Sequence, residues 1–491
     1  MTEIGRPNPE RPNIVLITTD QQRGDCLGVD GHPVVQTPNL DHLARSGALF
    51  RRGYSECPSC VPARRTLLSG QSPAAHGMVG MTSAPWDPEH TLPGELARAG
   101  YQTQLVGKLH MTPARKRFGF ENMELADSTH AAAGGGLTDN DFVEWLTRNG
   151  PVEGVEPGVA HGVSANGWVG RPNHLPEHLT HTFWSTSRAM DFVRRRDPEA
   201  PFFLHLSYID PHPPMTPPKF YYDRFDAMDL GRPKVGDWAP RFDEPVRGLD
   251  INAWEIRLED QLLHQARAGY YGMINHVDDQ VGRFVDLLRR SKLLDDTVIL
   301  FTSDHGEMLG DHNMWRKTFP YEASARVPFF LKPARSMGLP TDVVRSEPVG
   351  LQDVMPTLLE AAGVPIPDSC TGRSVLPLAT AGDDGATGWR EYLHGEHAGQ
   401  YDYDAGMHYL TDGHHKYVWY TQTGREHLFD LDADPDELHD LSAEPGGGDL
   451  AGWRARLVAT LADRPEGFVR SGELVVGRPH HHLVPAEPLP V

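Results

Sequence analysis

Four short apolar runs restrict the chain more than any other feature. They are residues 13–19 (NIVLITT), 103–107 (TQLVG), 202–208 (FFLHLSY) and 297–303 (TVILFTS). Each is too continuously hydrophobic to face water on one side, so each predicts a strand covered on both faces. Helical patterns lie between them, at 40–46 and 275–288. Buried strands alternating with helices predict an α/β domain around a mostly parallel sheet. Three runs end at once in polar residues: Asp20-Gln21, Lys108 and Asp304-His305. The fourth leads within a few residues to His212. In such sheets ligands bind beyond the carboxyl ends of the strands. Four distant segments are therefore expected to converge on one site.

The length of 491 residues allows two or three domains. Acidic residues outnumber basic ones by 67 to 46, a formal charge of −21 that disfavours nucleic acid and anionic membranes as partners. No apolar run approaches the roughly 18 residues of a membrane span. The first residues, MTEIGRPNPERPN, lack the basic and apolar regions of a signal peptide, which predicts a cytoplasmic protein. Four cysteines, Cys26, Cys57, Cys60 and Cys370, do not suggest a disulfide framework. Irregular excursions are expected at 131–173 and from Pro213 to about Asp250. A Gly/Asp/Ala stretch at 379–388 puts a boundary near Asp383, giving a catalytic domain of 1–382 and a smaller one of 383–491. Runs 416–420 and 427–431 read as short strands of the latter. The tail beyond Gly477, with His480, His481 and His482, is given no role. The oligomeric state is left open, a homo-oligomer included.

Segment 60–70, CVPARRTLLSG, carries the strongest chemistry. Pro62 suits the first turn of a helix, which places Cys60 at its N-terminus, where the dipole favours negative charge. Arg64, four residues on, shares the face of Cys60. A nucleophile, a fixed cation and a helix N-terminus can together hold an anion. The bland alternatives are a buried structural cysteine, or Cys57 and Cys60 as a redox pair or half a zinc site. The latter lacks a second cysteine pair at zinc spacing. Asp20, Gln21, Asp304 and His305 offer donors for a divalent cation at two strand ends. Lys108 and His110 would share a face were their strand to continue. His212 stands in a proline-pinned loop, Asp210-Pro-His-Pro-Pro214.

Segment 60–70 resembles the sulfatase signature C-x-P-x-R-x-x-x-L-[ST]-G at every fixed position. The resemblance covers residues 11 to about 120, 180–220 and 260–442. It includes a C-terminal element, 427–441, similar to the family's L-Y-D-L-x-x-D-P pattern. It implies the fold of the alkaline phosphatase superfamily: an α/β/α sandwich with a mixed sheet, then a smaller α+β domain with an antiparallel sheet. It implies that Cys60 is converted to formylglycine by a formylglycine-generating enzyme, and that one divalent ion, Ca²⁺ or Mn²⁺, is held by Asp20, Gln21, Asp304, His305 and residue 60. It further implies that Arg64, Lys108 and Lys317 neutralise a sulfuryl group, that His212 protonates the leaving oxygen and that His110 removes the proton that releases sulfate. His312 is expected to be structural. Many sulfatases carry Asp-Asp and Asp-Asn where this chain has Asp-Gln and Asp-His. That pattern is similar to the branch of choline sulfatases and phosphonate monoester hydrolases. Lys and His at 108 and 110 are closer to sulfatases, whereas the phosphonate enzymes tend to carry hydroxyl residues there. The expected activity is hydrolysis of a sulfate monoester, with a phosphonate monoester or phosphodiester as the alternative. A non-catalytic anion binder is disfavoured by the full set of acid, base and cation positions.

Overall fold

The computed structural model describes residues 11–127, 140–149, 166–245, 250–380, 386–444 and 448–489. The polar start through residue 10, the larger part of the 131–173 excursion and the boundary expected near Asp383 lie outside them.

Nine strands lead up to the first sheet and its neighbour. They are β1 (Asn13–Thr19), β2 (Ala48–Phe50), β3 (Gly53–Tyr54), β4 (Gln102–Gly107), β5 (Asn122–Leu125), β6 (Phe202–Ser207), β7 (Thr297–Ser303), β8 (Phe329–Lys332) and β9 (Val343–Arg345). All except β3 form one mixed sheet in the order β5-β4-β6-β1-β7-β8-β2-β9. Neighbours run parallel from β5 to β7, and β8 is antiparallel to both β7 and β2. The four apolar runs of the sequence are thus four adjacent, parallel strands, β4-β6-β1-β7, at the centre.

Burial on both faces explains why these runs do not alternate with polar residues. Ile14 and Leu16 of β1 join Leu105, Phe203, Val298 and Leu300 in one core. Val15 and Ile17 join Val106, Leu204, Ile299 and Phe301 in the other. The helix Cys60–Ser69 packs Val61, Leu67 and Leu68 into the first core. The helix Asp260–Arg290 packs Val277, Val281 and Phe284 into the second. The result is the expected α/β/α sandwich. The long helix extends well before the 275–288 pattern, because its first half buries Tyr270, Met273 and Ile274 in a third cluster.

Beyond β10 (Val349–Gly350), which pairs with β3, a separate antiparallel sheet is built from β11 (Leu393–His397), β12 (Met407–Thr411), β13 (His415–Tyr420) and β14 (Glu426–Asp430). The helix Leu450–Leu461 covers it through Trp453, Leu457 and Leu461. Among the described residues no helix is long and apolar enough to cross a membrane.

Candidate active site

Parallel register brings the polar residues together. Thr19 of β1 pairs with Ser303 of β7, and Thr18 pairs with Ser207 of β6, which also pairs with Gly107 of β4. Asp20, Lys108 and Asp304 therefore leave the sheet side by side. The helix Cys60–Ser69 points its N-terminus at them, with Ser59 as extended N-cap residue. The Cys60 sulfur is 3.0 Å from Lys317 Nζ, 3.2 Å from His305 Nε2 and 3.7 Å from Asp20 Oδ1.

Lys317 spends its ammonium on three neighbours: Cys60, Gln21 Oε1 at 3.1 Å and His212 Nε2 at 3.0 Å. Lys108 Nζ lies 2.5 Å from Asp20 Oδ2. Arg64, expected at the sulfuryl group, lies against the carboxylates of Asp304 and Asp20. Its Nε donates to Asp304 Oδ2 at 2.9 Å, and its terminal nitrogens reach Lys108 O, Ser207 Oγ and Asp20 Oδ2. Its guanidinium braces the two carboxylates and is already used.

Asp20, Cys60, Asp304 and His305 are all buried, and one ligand atom from each lies within 4.8 Å of the others. His305 fits such a centre because its Nδ1 pairs with Gly306 O at 2.9 Å, which turns Nε2 inward. Gln21 fits because its amide nitrogen is engaged by Glu307, which leaves Oε1 facing the site. The donor set, two carboxylates, an amide oxygen and an imidazole, suits a divalent ion.

Electrostatics follow from crowding charges out of water. Burial and Cys60 push the Asp20 carboxyl up, but Lys108, His212 and Lys317 outweigh them and hold it below the usual carboxylate range. Burial, with Asp20 beside it, raises Asp304. Burial raises the Cys60 thiol, and Lys317, Lys108 and His305 overcome this to bring it well below its ordinary value. Burial followed by Lys317 lowers His212 to about 4.

The Lys108–His110 segment corrects one expectation. The strand does not continue: it stops at Gly107, whose φ is +107° and where a Cβ would lie 1.9 Å from Ser207 O. His110 also has positive φ, +55°. The loop is held by Asp127 Oδ1, which accepts from Leu109 N at 2.5 Å and His110 N at 2.9 Å. His110 nonetheless reaches the Cys60 side chain. His212 stands on a loop whose Asp210 is tied to Thr182 and His181. His312 is buried, accepts from Gly236 N and packs on Trp238.

Four supporting residues went unread in the sequence: Asp127, Ser207, Glu307 and His397. Glu307 accepts from Gln21, Leu309 N and Arg316 N. His397 Nε2 is 2.9 Å from Ser59 Oγ. Only Glu307, three residues after Asp304, stood close enough to a motif to be suspected.

Comparisons with known proteins agree with this geometry. Residues 12–364 match the family described as Sulfatase, and residues 310–461 match the family described as N-sulphoglucosamine sulphohydrolase, C-terminal. An arylsulfatase of Clostridium perfringens is 41% identical over 480 residues, covering 96% of this chain and 98% of that protein. A choline-sulfatase of Rhizobium meliloti is 30% identical, covering 89% and 83%. The crystal structure of a phosphonate monoester hydrolase of Agrobacterium radiobacter superposes with a TM-score of 0.76 at 27% identity, covering 92% of this chain and 96% of that one.

Proposed function

The chain belongs to the sulfatase family and is a sulfuric ester hydrolase, and from that premise we propose that it works covalently through position 60. Cys60 is converted to formylglycine by a formylglycine-generating enzyme. As its hydrate, formylglycine supplies one hydroxyl that takes the sulfuryl group and a second whose deprotonation releases it. A divalent ion held by Asp20, Gln21, Asp304, His305 and residue 60 supplies positive charge against the sulfuryl oxygens. An amide and an imidazole in place of charged oxygen donors favour manganese over calcium.

The remaining roles belong to the chain's own side chains. Lys317 and Lys108 approach the nucleophile from two sides and neutralise the charge that moves onto the sulfuryl group. His212, beside Lys317, protonates the leaving oxygen. His110 takes the proton from the second hydroxyl. Arg64 is a positioning residue, holding Asp20 and Asp304 in one orientation. The catalytic unit is assigned to 1–382 and the smaller unit to 383–491. None of the four cysteines is bridged. That suits the reducing cytoplasm, where we place the enzyme.

The single observation that carries this reading is the convergence on Cys60 Sγ of Lys317, His305 and Asp20, from three separate segments, at 3.0 to 3.7 Å. The test is mass spectrometry of protein made with the maturing enzyme, together with turnover of Cys60→Ala. Loss of sulfur at Cys60 with Cys57 unchanged is expected, and so is loss of activity. Wild-type turnover by Cys60→Ala overturns the covalent route.

A second reading, phosphonate monoester hydrolysis, is supported by the Asp-Gln and Asp-His pairs and by the Agrobacterium likeness. Lys108 and His110 favour sulfate, and activity on phosphorus esters is assigned the minor place. Matched 4-nitrophenyl sulfate and phenylphosphonate esters, compared by kcat/KM on fully formylglycine-loaded enzyme, decide between them.

A further inference from the structure

A second cluster of metal-ligating side chains lies in the C-terminal sheet. Glu396 of β11 is the cross-strand partner of His408 of β12. His394, two residues before Glu396, projects from the same face of the strand. The chain end adds His480, whose ring stacks on His408 with centroids 5.0 Å apart. Glu396, His408 and His480 are each no more than 2% exposed, and one ligand atom from each lies within 4.8 Å of the others.

Their hydrogen bonding is incomplete. Both ring nitrogens of His480 and the Nε2 of His408 are buried without a partner among the described residues. A buried polar atom without a partner is costly, and Nε2 of His480, 3.9 Å from Glu396 Oε2, calls for an occupant between them. Glu396 is the one anion among them. Arg464 holds both its oxygens at 2.8 Å, and Arg464 is itself balanced by Glu466. The group therefore carries one net negative charge, suited to a cation.

The spacing suits a small ion. His408 Nδ1 is 3.8 Å from Glu396 Oε2, which is 3.9 Å from His480 Nε2. Metal–ligand bonds of ~2.0–2.1 Å imply a ligand–ligand edge of about 3.3 Å, so these two spacings close by about half an ångström on a bound ion. We propose that Glu396, His408 and His480 form a second, structural divalent-metal site of the zinc class. Two imidazoles and one carboxylate select zinc over calcium. The ion would tie the chain end to β11 and β12, closing a long loop in a way that resists unfolding. It also steadies His397, the residue after Glu396, which reaches Ser59 ahead of the nucleophile. His480, beyond Gly477, thereby acquires a role.

The experiment uses the full chain carrying Asp304→Ala, so that the active site holds no ion, stripped with a chelator and titrated with Co²⁺. One equivalent should bind with the intense visible bands of tetrahedral cobalt, be displaced by Zn²⁺ and raise Tm. That equivalent should vanish when His480→Gln or His408→Gln is added. Should the Asp304 variant fail to fold, anomalous scattering at the zinc edge from crystals of the wild-type protein gives the same answer. No tetrahedral equivalent, an equivalent unchanged in both histidine variants, or a water in place of a scatterer overturns the proposal.

Discussion

The hydroxyl of Ser59 and Nε2 of His397 lie 2.9 Å apart, and this contact joins the residue preceding Cys60 to the last residue of β11. The helix that begins at Cys60 is held from the sheet side by Arg64 and from the C-terminal sheet by His397. Both anchors act on one turn of helix, so small changes at either should register in catalysis as well as stability.

His397→Ala should leave the buried Ser59 hydroxyl without that partner, at a cost of about 1–3 kcal/mol. The expected outcome is a lower Tm together with a kcat/KM reduced by roughly tenfold, since a shift well under an ångström at the nucleophile is felt in rate. Thermal melts and steady-state rates on formylglycine-loaded protein check it. A stability loss with unchanged kcat/KM would mean that the anchor does not position residue 60.

Glu307→Gln should weaken the metal centre without touching it. Oε1 of Glu307 accepts the backbone N–H of Leu309 and Arg316, so a glutamine there must keep its carbonyl on those two donors. Its NH₂ then faces the NH₂ of Gln21, and Gln21 must turn its amide over. That brings an N–H toward Lys317 and withdraws the oxygen donor. Loss of outer support of this kind weakens metal affinity by about 10–100-fold. Mn²⁺ titration of stripped protein measures it, and an unchanged affinity would show that Gln21 Oε1 is not a ligand.

These two residues also show where sequence reading stops. The four strands, the convergence beyond their ends and the helix start at Cys60 were legible because each is a local pattern: a buried run, a polar residue after it, a proline in the first turn. Lys108 and His110 were legible as residues but not as geometry. A shared face required the strand to continue, and it ends because Gly107 adopts φ +107° against Ser207. Asp127, Glu307 and His397 act through the backbone or through another side chain, so their meaning exists only in the folded register. His480 is the extreme case, lying 84 residues beyond Glu396 with no periodicity around it. The boundary near Asp383 falls outside the described residues, and composition alone supports it.

Asp278→Asn should change the pH dependence of stability. Asp278 Oδ1 accepts from Asn39 N at 3.1 Å and Leu40 N at 2.8 Å, at the start of the helix Pro38–Arg45. Burial nonetheless raises its carboxyl from 3.8 to about 7. A raised carboxyl means that the folded state binds the proton more tightly than the unfolded one. Its contribution to stability is complete below about pH 4 and is lost as pH rises toward 7. Asparagine can keep both backbone bonds and pair with a flipped Asn39 amide, so the variant should lack this slope. At pH 8 it should exceed the wild type in stability by on the order of 1 kcal/mol or more. Denaturant midpoints across pH 4–8 test it. A variant less stable at pH 8 would mean that the two amides stabilise the carboxylate more than burial opposes it.

Asp304→Asn isolates charge from shape at the metal centre. Asp304 Oδ1 receives Gln21 N at 3.1 Å and His305 N at 3.0 Å, while Oδ2 receives Arg64 Nε at 2.9 Å. An asparagine can serve the two amides and must then present NH₂ to the guanidinium. Loss of the bound ion and at least a thousandfold fall in kcat are expected. Retention of one equivalent of Mn²⁺ at the active site would remove Asp304 from the ligand set.

His110→Ala should separate the two halves of the reaction. His110 reaches residue 60 from a loop that Asp127 fixes by two backbone bonds, and its Nδ1 is buried with no partner among the described residues. A nitrogen kept free in this way beside the nucleophile suits a base that acts after the sulfuryl group has loaded. Lys317, Lys108 and His212 approach from other segments and are untouched by the substitution. Loading should therefore survive, and release should fail. With 4-nitrophenyl sulfate the variant should give a burst of nitrophenol of one equivalent per formylglycine, followed by turnover slowed by roughly 10²–10⁴-fold, the usual contribution of a positioned base. Intact mass measured after the burst should show the retained sulfuryl group on the peptide containing residue 60. A steady-state rate equal to that of the wild type would show that another group takes the proton. A loss of both burst and turnover would place His110 in the loading step instead.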